Sequence, residues 1–274
     1  MARTLVTGAR GRLGPYLAAE ATALGAVITS ARSGGDVECD LTDGAAVASL
    51  LDRAAPSLVL HAAAMTDVDA CEVRPDEADA ANRQAVEHLV RHLPAGARLI
   101  VISTDQVYPD TAGPHLEDET GPVNIYGKTK LAGEQAALEH PGALVLRTNF
   151  FGPPASLSDF FLDAFAAGRP VPLFEDVAFS PLHAATLARL ALAAVRAGAE
   201  GVYNLGSRDG MTKAEFARAL AAHAGLSTAT ARVARSTLQP GRAPRPRDLR
   251  MDVARFEARL SLTLPTLAEE IATS

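Results

Sequence analysis

Tyr126 and Lys130 stand four residues apart in a segment, Asn124 to His140, that reads as a helix. That spacing places both side chains on one helix face. A phenol titrates near pH 10 and is a poor acid–base group at neutral pH. An ammonium beside it favours the phenolate and lowers that value. Such a pair can give a proton to a carbonyl oxygen as a hydride arrives, or take it back in the reverse direction. The lysine can also hold a nicotinamide ribose. Thr104 follows the apolar run Arg98–Ser103 (RLIVIS), read as a fourth strand, at the strand end where doubly wound sheets bind ligands. Its hydroxyl can donate to the same carbonyl oxygen. Tyr-x-x-x-Lys arises often by chance as an inert surface pair, so its meaning depends on what else the chain carries.

A glycine loop is the second element. The short apolar run Thr4–Thr7 is followed by Gly8-Ala9-Arg10-Gly11-Arg12-Leu13-Gly14. Glycines there let the backbone turn sharply and approach a pyrophosphate, while the N-terminus of the following helix offers N–H donors and a partial positive charge. Gly8, Arg10, Gly11, Arg12, Leu13 and Gly14 are therefore the candidate phosphate-binding residues. At the end of the second strand the only charge is Arg32, where NAD-specific sites carry an acid for the ribose 2′-hydroxyl. An arginine suits a 2′-phosphate, so NADPH is the expected cofactor, with NAD as the alternative. Asp40 and Leu41 are placed to contact the adenine. The small residues Ala62, Ala63 and Ala64 after the third strand let a flat cofactor lie against the backbone.

The elements that must position these groups alternate. Strands are expected at Thr4–Thr7, Ala26–Ser30, Ser57–His61, Arg98–Ser103 and Ala143–Arg147, with helices at Leu13–Leu24, Ala45–Ala54, Glu77–Leu93 and Asn124–His140 between or after them. This is the pattern of an α/β fold, a doubly wound parallel (Rossmann) sheet covered on both faces. After about Phe150 the pattern loosens around Gly152-Pro153-Pro154 and Gly168-Arg169-Pro170. Residues 1–150 are read as the nucleotide-binding domain, rejoined by about 175–206. Residues 151–274 are read mostly as a smaller C-terminal substrate-binding lobe, with helices at Leu187–Ala197 and Lys213–Ala224, a strand at Val202–Leu205 and a Pro/Arg-rich loop at Gln239–Arg247. Arg235, Arg242, Arg245, Arg247 and Arg250 cluster there. They suit either an anionic diphosphate or a solvated loop, and both readings stay open.

The 274 residues, 48% hydrophobic and 21% charged, are enough for a sizeable core. A net charge of −6 argues against a nucleic-acid partner. No stretch is apolar enough to span a bilayer. The N-terminus has no secretory pattern. The two cysteines, Cys39 and Cys71, have no metal or disulfide spacing, so a cytoplasmic setting without a metal is expected.

On these segments the chain resembles extended short-chain dehydrogenase/reductases, and most closely the dTDP-4-dehydrorhamnose reductases. The resemblance is carried by Thr7–Gly14, His61–Asp69, Ser103–Tyr108, Tyr126–Glu134 and Leu146–Asn149, with Glu72, Pro75 and Asn82. It is weaker through Phe179–Pro181, Gly201–Asn204 and Arg245–Asp248. It implies Thr104, Tyr126 and Lys130 as the catalytic triad, a nucleotide-sugar substrate, and a role for Asn82 in ordering the active-site backbone. Phe150 stands nearest the place of a tryptophan that frames the sugar in that family, beside Asn149. Asp105 either touches the sugar or supports Thr104. Arg245 is the candidate for the diphosphate. The expected activity is reduction of a nucleotide-linked 4-keto-deoxysugar in dTDP-L-rhamnose synthesis. The alternatives are a nucleotide-sugar epimerase of the same fold and a non-catalytic NADP-binding subunit like the regulatory subunit of methionine adenosyltransferase. There is room for a homodimer.

Overall fold

A computed structural model describes residues 3–236 and 242–274. Its main sheet is built from β1 (Arg3–Thr7), β2 (Ala26–Ala31), β3 (Val37–Glu38), β4 (Leu58–His61), β5 (Arg98–Ile102), β6 (Leu144–Thr148) and a last strand, Gly201–Leu205. The spatial order is Gly201–Leu205, β6, β5, β4, β1, β2, β3, and every pairing is parallel. Strand order reverses between β4 and β1, and at such a switch point the carboxyl ends of the strands open a crevice.

Side chains of a strand alternate between faces, and here both faces are buried. Leu5, Val59, Leu99, Val101 and Val145 enter one core with α2 (Gly44–Ala54) and the helices that follow β4. Val6, Leu60, Ile100, Ile102, Leu144 and Leu146 enter the other. That second core is closed by α1 (Gly14–Ala21) and by a helix at Ala184–Arg196, which belongs to the later part of the chain. Continuous apolar strands follow from this double coverage.

The helix expected over Glu77–Leu93 is more elaborate than a single run. After α3 (Val68–Val73), α4 (Pro75–Asp79) passes through a wide π-type turn at Ala80–Gln84 into α5 (Ala85–His92). Asn82 lies in that turn. A side chain that bonds other elements repays the irregular backbone, as π-bulges do at functional sites. Also unforeseen were β3, α3, and helices at Leu157–Ala166, Ala254–Leu260 and Leu267–Ala272.

The smaller lobe gathers Phe151, Phe161, Phe165, Phe179 and Phe216 into a separate core. It holds a three-stranded sheet of Met211–Thr212, Ala178–Phe179 and Asp248–Leu249, and a parallel pair of Val171–Phe174 with Ala231–Ala234. Of the Pro/Arg-rich loop, Arg242–Arg247 has no helix or strand, and Gln239–Gly241 lies outside the described residues.

Candidate active site and cofactor cleft

A cleft of about 610 Å³ lies across the carboxyl ends of β1, β2 and β4. Gly8, Arg10, Gly11, Arg32, Asp40, Leu41, Ala62, Ala63 and Ala64 all line it. Gly8 has a positive φ of 72°, and a Cβ there would sit 2.5 Å from the Ala63 nitrogen. The loop can therefore lie against the Ala62–Ala64 backbone only because Gly8 has no side chain. A Cβ on Gly14 would strike the Gly8 carbonyl oxygen at 2.4 Å, so Gly14 lets α1 pack tightly on the loop. Leu13 sends its side chain into the core and can offer a ligand only its backbone. The open cradle, the small floor and the helix start fit a dinucleotide.

At one end of the cleft the chain after β2 carries Arg32, with Arg10 of the glycine loop lying against Gly34. Asp40 accepts from the Thr42 backbone N–H (3.0 Å) and hydroxyl (2.8 Å). These bonds, with a smaller contribution from Arg32, hold its carboxyl below the usual value. Arg12 lies apart from the cleft lining. Its guanidinium is 5.4 Å from the Phe150 ring centre. Arg74, Glu77, Thr42 and Met65 line the cleft without having been singled out from the sequence. Arg74 joins α3 to α4 and Glu77 sits on the five-residue α4, where no periodic pattern marks a cleft-facing side.

Tyr126 and Lys130 lie on α6 (Ile125–Leu138), which starts where the Asn124 side chain accepts from the Gly127 N–H at 2.7 Å. Asn124 Nδ2 in turn donates to Gln106 Oε1, tying the helix start to the segment after Thr104. Gly127 permits this approach, since a Cβ there would lie 2.2 Å from the Gln106 carbonyl oxygen. From the other side Asn82 accepts from the Met65 N–H (2.8 Å) and donates to the Met65 carbonyl and to the Thr129 hydroxyl (3.0 Å). It thus joins the chain after β4 to α6.

Tyr126 and Lys130 are 8% and 4% exposed. Lys130 Nζ donates to the Ile102 carbonyl at 2.8 Å. Burial pulls the lysine down to about 8, against the raising field of Glu134. The sequence expectation of a lowered Tyr126 pKa is not met here. Burial pushes the phenol up to about 12, the Thr104 hydroxyl and Arg12 pull it back, and Asp105 and Cys71 add to the rise. A phenol kept protonated is the form that donates. Thr104 donates to Asp105 Oδ1 at 3.3 Å and accepts from the Gln106 N–H.

Asp105 is buried, and burial raises its carboxyl to about 6. It accepts from Asn149 Nδ2 at 2.6 Å. Arg245 is not a free cation. Its guanidinium pairs with Asp69 on α3 at 2.9–3.0 Å, and the Ala243 N–H donates to the same carboxylate. Asn124 also donates to the Pro244 carbonyl. The segment Ala243–Arg245 therefore straps the smaller lobe across the starts of α3 and α6, and Asp69 is the residue that sequence reasoning missed as its anchor. Among the described residues no group of three His, Cys, Asp or Glu side chains could hold a metal, and no helix is long and apolar enough to cross a membrane.

Comparison with known proteins adds an independent finding. Residues 2–274 match the family model described as the RmlD substrate binding domain. The chain is similar to a probable low-salt glycan biosynthesis reductase of Haloferax volcanii, 33% identical over 97% of this chain and 95% of that protein. It is similar to a dTDP-4-dehydrorhamnose reductase of Mycolicibacterium smegmatis, 36% identical over 89% of this chain and 76% of that one. Among solved structures, a hypothetical dTDP-4-dehydrorhamnose reductase of Sulfolobus tokodaii has a TM-score of 0.88 at 29% identity, covering 96% and 97% of the two chains.

Proposed function

The chain belongs to the RmlD substrate binding domain family, and from that premise we propose that it is an NADPH-dependent reductase of a nucleotide-linked 4-keto-deoxysugar, dTDP-4-dehydrorhamnose being the first substrate to try. The observation that supports the reading is that the Thr104 hydroxyl acts on the Tyr126 phenol and that Lys130, one turn further along α6, bonds the Ile102 carbonyl at the carboxyl end of β5. The nicotinamide supplies the hydride. Lys130 holds its ribose, Thr104 donates to the substrate carbonyl oxygen, and Tyr126 delivers its proton to the alkoxide as charge develops. Asn149 fixes the Asp105 carboxyl beside Thr104, and Phe150 with the Ala243–Arg245 strap borders the sugar and its diphosphate. Reduction of a panel of dTDP-4-keto sugars, followed by loss of NADPH absorbance, tests the reading. NADPH binding with no turnover on any of them would instead favour a regulatory subunit.

Cofactor choice gives a second test. Arg10 and Arg32 at the loop after β2 are suited to a 2′-phosphate, so NADPH binds more tightly than NADH. Arg32→Asp removes one charge-assisted contact, worth about 1.5–3 kcal/mol, or roughly 10- to 150-fold in affinity. It also offers a carboxylate to the 2′-hydroxyl of NADH, so the preference is erased or reversed. Equal affinities for both cofactors in the parent protein, measured by titration, would reject the role of Arg32.

Arg245→Ala raises KM for the nucleotide sugar through loss of the strap, with NADPH affinity unchanged. An unaltered KM would show that the Arg245–Asp69 strap has no part in substrate binding.

A further inference from the structure

Lys130 is a buried ammonium with three N–H bonds, and among the described residues the Ile102 carbonyl is its one hydrogen-bond acceptor. Two buried groups near it take no part in the chemistry described above. Glu134 lies one helical turn beyond Lys130 on the same face of α6. Its carboxylate is held bidentate by Arg147 of β6 at 2.7–3.1 Å and accepts from the Ser103 hydroxyl at the end of β5. His61 ends β4 on the sheet face that α6 covers, directly beside Val101 of β5. Its Nδ1 is 2.8 Å from the Thr7 hydroxyl, and its Nε2 is buried with no partner.

Burial and the nearby Lys130 charge hold the His61 ring neutral, down to about 3. In the tautomer that gives Nδ1–H to the Thr7 hydroxyl, Nε2 is a bare lone pair. An orphaned acceptor costs stability unless a donor uses it. The group beside it with donors to spare is Lys130.

We propose that Glu134 and His61 are positioning residues for Lys130, holding it as an ammonium in the site through the carboxylate's field and the unpaired Nε2 lone pair. Other charged or titratable groups reach the site from every side. Tyr126 shares α6, Arg147 on β6 is neutralised by Glu134, Asp105 follows β5, Cys71 lies on α3, and Arg12 comes from the glycine loop. Glu134 alone among them raises Lys130. Above the lysine's pKa of about 8 the ammonium is lost, and with it the grip on the cofactor ribose.

The inference rests on the cofactor-binding part of the proposed function, so its main readout needs no sugar. The NADPH dissociation constant is titrated against pH for the parent, Glu134→Gln, Glu134→Asp and His61→Phe. In the parent, affinity falls as pH rises through about 8. In Glu134→Gln and His61→Phe the midpoint moves down by about one pH unit, affinity on the acid side stays near the parent's, and Glu134→Asp returns most of the shift. Single-turnover rates with a keto sugar show the same displacement of the alkaline limb. If both variants lose thermal stability but keep the parent midpoint, the groups are structural and the proposal falls. If Glu134→Gln does not fold, His61→Phe, which keeps a ring and removes the lone pair, decides alone. A shifted midpoint in a protein that turns over no keto sugar sinks the reductase reading and leaves this one standing.

Discussion

Tyr126→Phe lowers the single-turnover rate of hydride transfer by roughly 10²–10⁴, the usual contribution of a placed acid, and leaves the fold and NADPH binding in place. Only a hydroxyl is removed, and the ring keeps its contacts with Cys71, Ala78 and Met65. The phenol sits near 12 in the structure, so it is protonated at every pH used for the assay. The loss should therefore be uniform with pH below the lysine's titration. Thr104→Val costs less, because one donor to the carbonyl is lost while the proton source remains. Lys130→Ala does at least as much harm as the tyrosine change, since the hold on the nicotinamide ribose disappears and the Ile102 carbonyl loses its donor. Rates are to be taken under single-turnover conditions, so that product release does not mask the chemical step. Near-parent hydride transfer in the phenylalanine variant would show that the helix pair is not the catalytic device.

Arg147→Ala destabilises the protein by about 3–5 kcal/mol, the range found when one partner of a buried ion pair is removed. Both side chains of the pair are almost fully buried. Arg147 also donates to the Tyr108 hydroxyl at 3.2 Å and to the Glu117 carbonyl, and Tyr108 bonds Asn204 of the last strand. Loss of the guanidinium leaves the Glu134 carboxylate buried without its counter-charge and loosens β6 from both neighbours. Denaturant unfolding checks the size of the effect. Arg147→Met with Glu134→Gln should recover only part of it, because the unpaired carboxylate is gone but the buried Lys130 loses the one carboxylate that favours its ammonium. A change below about 1 kcal/mol for the single variant, the range of an exposed pair, would mean that water reaches the pair.

The sheet domain was legible because each of its main strands is a short apolar run bounded by turns, and because glycines mark the one loop that must touch a ligand. β3 was not, since two residues, Val37 and Glu38, make no pattern. The Tyr126–Lys130 pair and the cleft residues Gly8, Arg10, Gly11, Arg32 and Ala62–Ala64 could be read locally, for each is set by its position along a strand or helix. Leu13 and Arg12 show the limit of that method. Neighbours in a loop, they point into a core and toward Phe150. The link from Arg245 to Asp69 spans 176 residues, and composition offered only an arginine-rich loop with no indication of its partner. The Tyr126 pKa was misjudged because spacing gives a shared helix face but not the burial that dominates the phenol, and the groups that pull it down are Thr104 and Arg12, not Lys130. Asn82 entered by resemblance, and its reason is now plain. The π-type turn aims its amide at Met65 and Thr129.

The last strand of the main sheet has a consequence for synthesis on the ribosome. Gly201–Leu205 covers the edge of β6, and the helix Ala184–Arg196 covers Leu13, Leu17 and Ala21. A nascent chain that has emerged only as far as β6 therefore presents a bare hydrogen-bonding edge and an uncovered apolar helix face. Val253, Phe256 and Leu264 complete the same core later still. Long-range closure of this kind is slow, and unpaired edges invite association. A fragment ending near residue 150 should bind dinucleotide poorly and aggregate, although it contains the glycine loop, Thr104, Tyr126 and Lys130. The first 150 residues thus carry the glycine loop and the Tyr126–Lys130 pair long before they are a finished fold, and their burial waits on residues from the far end of the chain.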